Sequence, residues 1–318
     1  MTDDRTSFSL FAEPWWLDAV APGAWEDVRV EQNGTVIARL PFVRTRRMGL
    51  VTLGGAPLTK QLGPWVRPSE AKYTNALSAE HEAMGELIER LPTHDRFRQG
   101  FAPEVTNWLP FAWAGFDASV AYTYRLTDLS DLDAVWSGLR ENIRREIRKA
   151  ERQVEVVEDL GLDRFLAAAA QTFERQGLES RLPTEAFRRV EDAASSRDAR
   201  RILFAVDDAK RIHGALYLIW DDRVAYYLAG GGDPQLRKSG AMSLLMWRAI
   251  QQAAGVSAVF DFEGSMLRPV ERFFRGFGAR QTSFLVAERL GRRSRLLRGA
   301  RYLLDGIRPS PTKRADRA

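Results

Sequence analysis

Hydrophobic positions in the second half of the chain alternate between helical and strand spacing. After Ser130, which we expect to cap a helix, apolar residues recur every three or four positions through 131–153 and predict an amphipathic helix. A short strand at 154–157 and helices at 162–176 and 184–195 follow by the same reasoning. The remaining predicted elements are strands at 202–206, 212–220 and 224–229, a helix at 241–254, a strand at 256–262, a short helix at 269–275 and a last strand at 281–288.

The first half shows strand spacing before helical spacing. Runs at 28–32 and 35–43 flank Asn33-Gly34, a pair typical of a two-residue β-hairpin turn. A third strand at 48–53 follows. After it we expect a Gly/Pro-rich loop at 54–68, a helix at 78–91, a strand near 97–101, a short helix near 107–113 and a strand at 119–126.

Both halves end in the same pattern. Phe101 is followed fifteen residues later by Phe116, and Phe262 is followed fifteen residues later by Phe277; each second phenylalanine follows an aromatic-x-Gly sequence. A repeat this long predicts a duplicated domain rather than a solenoid, with a ligand cleft between two lobes. The predicted domains are 1–127, 128–289 and a tail, 290–318.

The order of elements and three motifs resemble a known superfamily. The motifs are Asn-Ile-Arg-Arg-Glu-Ile-Arg-Lys-Ala-Glu at 142–151, Phe-Asp-Phe-Glu-Gly at 260–264 and Phe-Arg-Gly-Phe-Gly at 274–278. Over residues 8–288 the chain resembles doubled GNAT acyltransferases, namely the Fem-like aminoacyl-tRNA-dependent transferases and relatives described as acetyltransferases. The resemblance implies an α/β (mixed α+β) fold with two GNAT-like lobes, each a mostly antiparallel mixed sheet flanked by helices.

The same resemblance implies an acyltransferase with no permanently bound cofactor. Its co-substrate is an aminoacyl-tRNA, which the motifs slightly favour, or an acyl-CoA. We expect an amide, or less readily an ester, to form on a small-molecule or cell-envelope precursor acceptor. A protein of another class, which binds a nucleotide or glycan on this fold without catalysis, stays open as an alternative.

Composition narrows the kinds of site. The chain has 318 residues, 45% of them hydrophobic, which is enough for two cores. It has no cysteine, which excludes disulfides, thiolate metal sites and a cysteine nucleophile, and its three histidines are too scattered to predict a metal site. No apolar stretch reaches the ~20 residues of a membrane span. We expect a cytoplasmic protein.

The positive charge is concentrated in the tail. Residues 290–318 carry nine Lys/Arg and two Asp/Glu, a net +7, so the other residues sum to 5 − 7 = −2. Arginines alternate there with leucines in a basic amphipathic pattern. The segment 290–307 therefore suggests contact with an anionic membrane or with tRNA, or else a plain surface helix.

A candidate phosphate-binding loop follows a glycine-rich turn. Helix starts favour anions, and two cations stand beside this one. The loop resembles the pyrophosphate loop of GNAT enzymes, although Met242 replaces the final small residue of that pattern; the alternative is an ordinary helix start. Its residues are Arg237, Lys238, Ser239, Gly240 and Ala241.

Three arginines share a stripe on the helix predicted at 131–153. Arg140, Arg144 and Arg148 are spaced i, i+4, i+8 and therefore lie on one face. They predict a phosphate-binding rim for a nucleotide-bearing substrate. A solvated face balanced by interspersed glutamates is the alternative.

The candidate catalytic residues lie near strand ends. Asp261 and Glu263 alternate along a strand, and a carboxylate there can take the proton of an acceptor ammonium. Of Tyr226 and Tyr227 we expect one in the core and one, Tyr227, in the cleft as a proton donor. The resemblance implies a role for Arg275, which stands in the place of the family's lysine.

Overall fold

The structure, a computed structural model, describes residues 5–158, 160–175, 183–264, 266–291 and 293–295. Contacts divide these residues into two compact units. The first runs to Ala121 and includes the residues from Ser283 onward, and the second is Tyr122–Thr282. The predicted α/β class with mostly antiparallel mixed sheets is confirmed.

The first unit is a sheet in the order β1-β2-β3-β5-β12, with β4 paired to β2. Asn33 and Gly34 have φ values of 51° and 76°, as the predicted hairpin turn between β1 and β2 requires. Alternate residues of β2 pack on α2 to form the core. The elements are α1 (Pro14–Val20), β1 (Trp25–Gln32), β2 (Thr35–Arg47), β3 (Leu50–Gly54), β4 (Trp65–Val66), α2 (Tyr73–Glu89), β5 (Arg96–Gly100) and α3 (Leu109–Trp113), joined by parts of β6 (Asp117–Leu126) and β12 (Arg280–Leu290).

The elements of the second unit follow the predicted order. They are α4 (Leu132–Gly138), α5 (Glu141–Ala150), β7 (Glu155–Glu158), α6 (Leu162–Arg175), α7 (Thr184–Ser195), β8 (Arg200–Val206), β9 (Ile212–Trp220), β10 (Val224–Gly231), α8 (Ala241–Ala253), β11 (Val259–Asp261) and α9 (Arg268–Arg275).

Alternation along β9 places helices on both faces of the second unit's sheet, whose order is β6-β11-β10-β9-β8-β7. Leu216 and Leu218 belong to the core that α5 and α8 cover. Tyr217 faces the other way, with its ring 5.5 Å from Phe165 of α6 and 5.8 Å from Phe187 of α7. Thus α5 and α8 lie on one face, and α6 and α7 on the opposite face.

The last strand of each repeat completes the sheet of the other repeat. β6 follows the first strand–helix pair, β5 and α3, but pairs with β11 through Arg125↔Asp261 and Leu126↔Phe260. β12 follows the second pair, β11 and α9, but pairs with β5 from Val286↔Gly100 onward. Each copy of the repeated sequence pattern therefore ends in a strand that pairs with a strand of the other copy.

The single helix predicted at 131–153 was wrong. α4 ends at Gly138 and α5 begins at Glu141, because Leu139 and Arg140 have extended ψ values of 141° and 146°. A Cβ on Gly278 would lie 2.7 Å from the carbonyl oxygen of Gly138, so the turn after α9 packs closely against this break. The N-cap is Asp131, whose carboxylate accepts from Ala134 N at 2.9 Å, rather than Ser130.

None of the described helices is long and apolar enough to cross a membrane. The tail helix suggested by the sequence falls mainly on residues 292 and 296–318, which lie outside the described residues.

Candidate active site

In the second unit, two neighbouring parallel strands are paired at one end and separate at the other. β10 and β11 pair from Val224↔Val259 to Tyr226↔Asp261; β11 then ends, while β10 continues to Gly231. The register of β10 against β9 shifts between Tyr227 and Ala229, which is a β-bulge. Backbone N–H and C=O groups of β10 beyond Tyr226 are therefore no longer paired with β11, and an extended ligand can bond to them.

In the first unit, the corresponding place where two parallel strands separate is occupied by another segment of the chain. β3 and β5 are its parallel pair and part after Gly54↔Arg98. Leu62 N then donates to Gly100 O at 2.7 Å, and Ala102 N donates to Leu62 O at 3.2 Å. Since the segment around Leu62 takes the place of a ligand there, the second unit offers the candidate active site.

Asp261 lies at the end of β11, fully buried, with both oxygens engaged. Its Oδ2 accepts from Arg125 Nε at 2.6 Å, and its Oδ1 accepts from the Thr123 hydroxyl and, at 2.8 Å, from Glu263 N. These bonds tie the exchanged strand β6 to β11. They favour a positioning role for Asp261 over that of a proton acceptor.

Glu263 adopts a backbone conformation that few non-glycine residues take. Its φ is 60°, and its side chain is buried. The next residue, Gly264, has a φ of 55°, and a Cβ there would lie 2.2 Å from Tyr122 O. The predicted strand alternation from Asp261 to Glu263 therefore does not hold, because β11 ends before Glu263. Such backbone strain is typical of functional sites.

Tyr226 lies in the core as expected for one of the two tyrosines, and Tyr227 is half-buried beside the bulge. A Cβ on Gly230 would lie 2.8 Å from the Tyr227 hydroxyl, so the phenol extends along the part of β10 that β11 has left. Its ring packs 5.8 Å from that of Phe274. Burial raises the pKa of Tyr227 above its usual value. The phenol, which is protonated at neutral pH in any case, can donate a hydrogen bond.

Arg275 ends α9, half exposed, and is held by an ion pair. Its Nε lies 2.8 Å from Glu271 Oε1, which also accepts from the Tyr124 hydroxyl at 2.9 Å. Tyr124 in turn accepts from Gln281 Nε2 at 2.8 Å. Burial and the bond to Glu271 raise the pKa of Tyr124. This network fixes the end of α9 against β6 and β12.

The candidate phosphate loop is a 3₁₀ turn followed by a helix. The turn spans Arg237–Ser239, Gly240 is left-handed with a φ of 84°, and α8 begins at Ala241, so the helix starts later than Arg237. A Cβ on Gly240 would lie 2.6 Å from the carbonyl oxygen of Glu146. Only glycine combines this conformation with this close approach.

α5 runs directly against the loop. Lys149 Nζ donates to the carbonyl oxygen of Lys238, and the Ser243 hydroxyl donates to Glu146 Oε2 at 2.5 Å. The structure therefore brings together the two basic sites that the sequence suggested separately, the loop and the stripe on α5. Lys149 and Glu146 make the junction.

The stripe itself differs from the prediction. Arg140 precedes α5 as its N-cap and is not in line with the others. Arg144 Nη2 pairs with Glu141 at 2.8 Å, and the Arg148 guanidinium lies 5.8 Å from the centre of the Trp136 ring. Arg145 on the same helix is exposed. Arg144 and Arg148 stay candidate phosphate ligands, and Arg145 joins them.

His213 at the start of β9 is buried and held by Asp207, whose Oδ2 lies 3.1 Å from His213 Nε2. Arg211 bonds the same carboxylate and holds the pKa of Asp207 well below its usual range. A groove of about 700 Å³ lies elsewhere on this unit, between β7 and the second half of α8. In the described part of the chain, no group of three or more His, Asp or Glu side chains could hold a metal ion.

Comparison with known proteins finds a family match within the second unit. Residues 137–275 match a family model described as an acetyltransferase (GNAT) domain. This segment is therefore similar to GNAT acetyltransferase domains. It contains the parting strands, the loop and α5, so the geometry just described belongs to a GNAT fold. A comparison with the curated proteins found no match.

Several solved structures have a similar fold over most or nearly all of the chain. FemX has a TM-score of 0.64 at 14% identity and covers 93% of this chain and 94% of that chain. A tandem GNAT protein from the clavulanic acid biosynthesis pathway has a TM-score of 0.52 at 14% identity, covering 86% of each chain. L-PGS from Bacillus licheniformis has a TM-score of 0.50 at 12% identity, covering 94% and 97%. The resemblance to doubled, Fem-like GNAT proteins is confirmed as a fold, and with the GNAT domain it supports an acyl or aminoacyl transferase.

Proposed function

We propose that the second unit transfers an acyl group from a phosphate-bearing donor to an amine, and that the donor is an aminoacyl-tRNA. The observation that carries this is the junction of α5 with the Arg237–Ala241 loop. It places a helix N-terminus, two loop cations and the exposed cations of α5 on one surface. Helix N-termini and clustered cations bind phosphate.

The parted strands supply a place for the reaction. The acyl carbonyl lies along the unpaired part of β10 beside the bulge, and the acceptor amine attacks it. A bond forms between nitrogen and the carbonyl carbon, and the bond to the leaving oxygen or sulfur breaks. Glu263 takes the proton that the amine loses. The neutral phenol of Tyr227 donates its proton to the leaving oxygen or sulfur, and both side chains then exchange protons with solvent. Positioning of the two substrates supplies much of the rate.

The extent of the basic surface favours tRNA over CoA. Arg145, Arg148 and Lys149 are exposed along α5 beyond the loop, and one pyrophosphate does not need them all. The phosphodiester backbone of a tRNA presents many phosphates and can contact all three cations. By the Fem resemblance the acceptor is the amine of a small molecule or a cell-envelope precursor.

An acyl-CoA-dependent N-acetyltransferase is the second candidate. The match to an acetyltransferase domain favours it, as does the likeness of Arg237–Ala241 to the pyrophosphate loop of GNAT enzymes. In this alternative the Arg237–Ala241 loop alone binds the acyl-CoA, and the cations of α5 are not needed for donor binding.

The loop is tested by removing its charges. Arg237→Ala with Lys238→Ala should weaken donor binding, since each lost phosphate contact costs about 1.5–3 kcal/mol. Arg164→Ala with Arg188→Ala, on the opposite face of the sheet, is the matched control. Unchanged donor affinity in a folded loop variant contradicts the proposal. If the wild type binds the donor but shows no turnover, the protein is better explained as a non-catalytic nucleotide- or glycan-binding protein.

A further inference from the structure

The hairpin between β2 and β3 extends beyond its neighbours in the first unit's sheet. β1 pairs with β2 no further than Val43, and β5 first pairs with β3 at Thr52. β2 and β3 nevertheless stay paired with each other as far as Arg47↔Leu50. Residues 44–50 therefore form a two-stranded ribbon with no neighbouring strand among the described residues, and all of them except Leu50 are exposed.

The tip of the ribbon carries an apolar residue in an uncommon conformation. Met48 has a φ of 50° and is 93% exposed, and Gly49 follows it with a φ of 75°. The turn between β1 and β2 has nearly the same backbone, but there the first position is Asn33, with a φ of 51°. Asparagine is common in this conformation, whereas methionine is rare. Because Met48 buries little of its surface, stability does not account for a methionine at this position.

Positively charged side chains flank the exposed methionine. Arg46 and Arg47 are successive residues of β2, so their side chains leave opposite faces of the ribbon. Both are exposed, and neither has an ion-pair or hydrogen-bond partner among the described residues. Arg44, further from the tip, pairs with Glu26 at 3.6 Å. The tip therefore presents two guanidinium groups and one apolar side chain to solvent.

The chain enters its basic tail at the same end of the first unit. Asp95 N donates to Val51 O at 2.8 Å, and Gly291 N donates to Asp95 O at 2.8 Å. Asp95 thus links the base of the ribbon to the residue at which the tail begins. Arg293 and Arg295 follow and are exposed. Positive charge therefore collects from two parts of the sequence beside the ribbon.

We propose that the ribbon tip, residues 46–48, is a docking site for a membrane surface of anionic phospholipids. Met48 inserts between the lipid headgroups, and Arg46 and Arg47 bind lipid phosphates on either side of it. The methionine decides between a lipid surface and a nucleic acid, because the backbone of an RNA needs the cations alone. The site belongs to the first unit and does not depend on which donor the second unit uses.

Vesicle flotation of the full chain tests the apolar part of the site. The vesicles contain equimolar phosphatidylglycerol and phosphatidylcholine, or phosphatidylcholine alone, at low and at high salt. Met48→Asn installs the residue that the other hairpin uses at the same backbone position. Met266→Asn, at a methionine of the second unit that is 63% exposed, is the matched control. The melting temperature of each variant is measured alongside.

The charged part is tested by Arg46→Gln with Arg47→Gln. Its control is Arg164→Gln with Arg188→Gln, which removes the same charge from exposed positions of the second unit. Both double variants keep the basic tail, so they separate a contribution of the ribbon from one of the tail. Binding of deacylated tRNA to the same proteins is measured by filter binding.

We expect the wild type to bind the anionic vesicles, more weakly at high salt, and not the neutral ones. Met48→Asn should lose at least about fivefold in vesicle affinity, with an unchanged or higher melting temperature. The arginine variant should lose about 25-fold, or about fivefold for each charge near the surface. Both controls should bind as the wild type does.

Three results would overturn the proposal. One is wild-type vesicle binding by Met48→Asn, which would leave the methionine without a role. Another is wild-type vesicle binding by the arginine variant, which would assign the binding to the tail. The third is a wild type that does not bind vesicles but binds tRNA, with tRNA affinity reduced in the arginine variant and not in Met48→Asn, which would make the tip a nucleic-acid surface.

Discussion

Asp261 is the residue where the exchanged strand and the candidate site meet. Its buried carboxylate balances the Arg125 guanidinium, whose side chain is 10% exposed. It also accepts from the amide of Glu263, the first residue of the strained turn. Asp261 therefore sets the position of Glu263 through the backbone, and a change at Asp261 acts on stability before it acts on chemistry.

Asp261→Asn should lower the free energy of unfolding by about 3 kcal/mol, because it removes the negative charge from the buried Arg125–Asp261 ion pair. Chemical denaturation measures this. The matched control is Asp163→Asn, whose ion pair with Arg188 is exposed and contributes no more than about 1 kcal/mol. Equal losses in the two variants would show that the buried pair is not what holds β6 to β11.

Glu263→Gln should behave in the opposite way, with turnover reduced about 100- to 10,000-fold and stability nearly unchanged. Gln keeps the size of the side chain and the backbone of the turn but cannot take a proton. Turnover across the pH range and the melting temperature are the two measurements. Near wild-type turnover at every pH removes Glu263 from the proposed mechanism.

His94 should make the first unit less stable in mild acid. Its Nε2 accepts from Arg289 Nη2 at 2.9 Å, and its Nδ1 donates to Pro92 O at 2.7 Å, which is the neutral form. Burial lowers the pKa of His94, so below about pH 6.5 the unfolded chain takes up a proton that the folded chain resists. Stability is thus full above that range and falls as the pH falls through it. The melting temperature should drop less from about pH 7.5 to about 5.5 in His94→Asn than in wild type; equal drops contradict this.

At the scale of elements, local patterns predicted most of what is seen, and long-range contacts account for the rest. The β1–β2 hairpin followed from Asn33-Gly34 because a turn is decided by its own residues. The break at Leu139 and Arg140 was missed because apolar spacing continues across it, and the contact of Gly278 that accompanies the break comes from far along the chain. The Arg125–Asp261 pair, 136 residues apart, had no local signal.

α5 is the element on which the choice of donor depends. Arg145→Glu with Arg148→Glu should weaken tRNA binding and make log affinity less dependent on log salt by about two phosphate contacts. Arg164→Glu with Arg188→Glu, on α6 and α7, is the control and should leave the salt slope nearly unchanged. A slope unaffected by the α5 variant would leave acyl-CoA as the favoured donor.

At the scale of the whole molecule, the two units are not equivalent. Each has one parallel strand pair and each ends in a strand from the other repeat, but the segment around Leu62 fills the parting point of the first unit. Only the second unit, among the described residues, combines open strand ends with a loop and helix suited to phosphate. We therefore propose one donor site for each chain, in the segment that matches the GNAT domain model.

The most direct test of this account is transfer of a labelled amino acid from charged tRNA to the amine-containing small-molecule and envelope-precursor fraction of cells. It is measured with and without ribonuclease, beside a parallel reaction with labelled acetyl-CoA. We predict product from charged tRNA that is lost after ribonuclease treatment and in the Arg237→Ala, Lys238→Ala variant. Product formed from acetyl-CoA and undiminished by ribonuclease, with none from charged tRNA, would contradict the proposed donor.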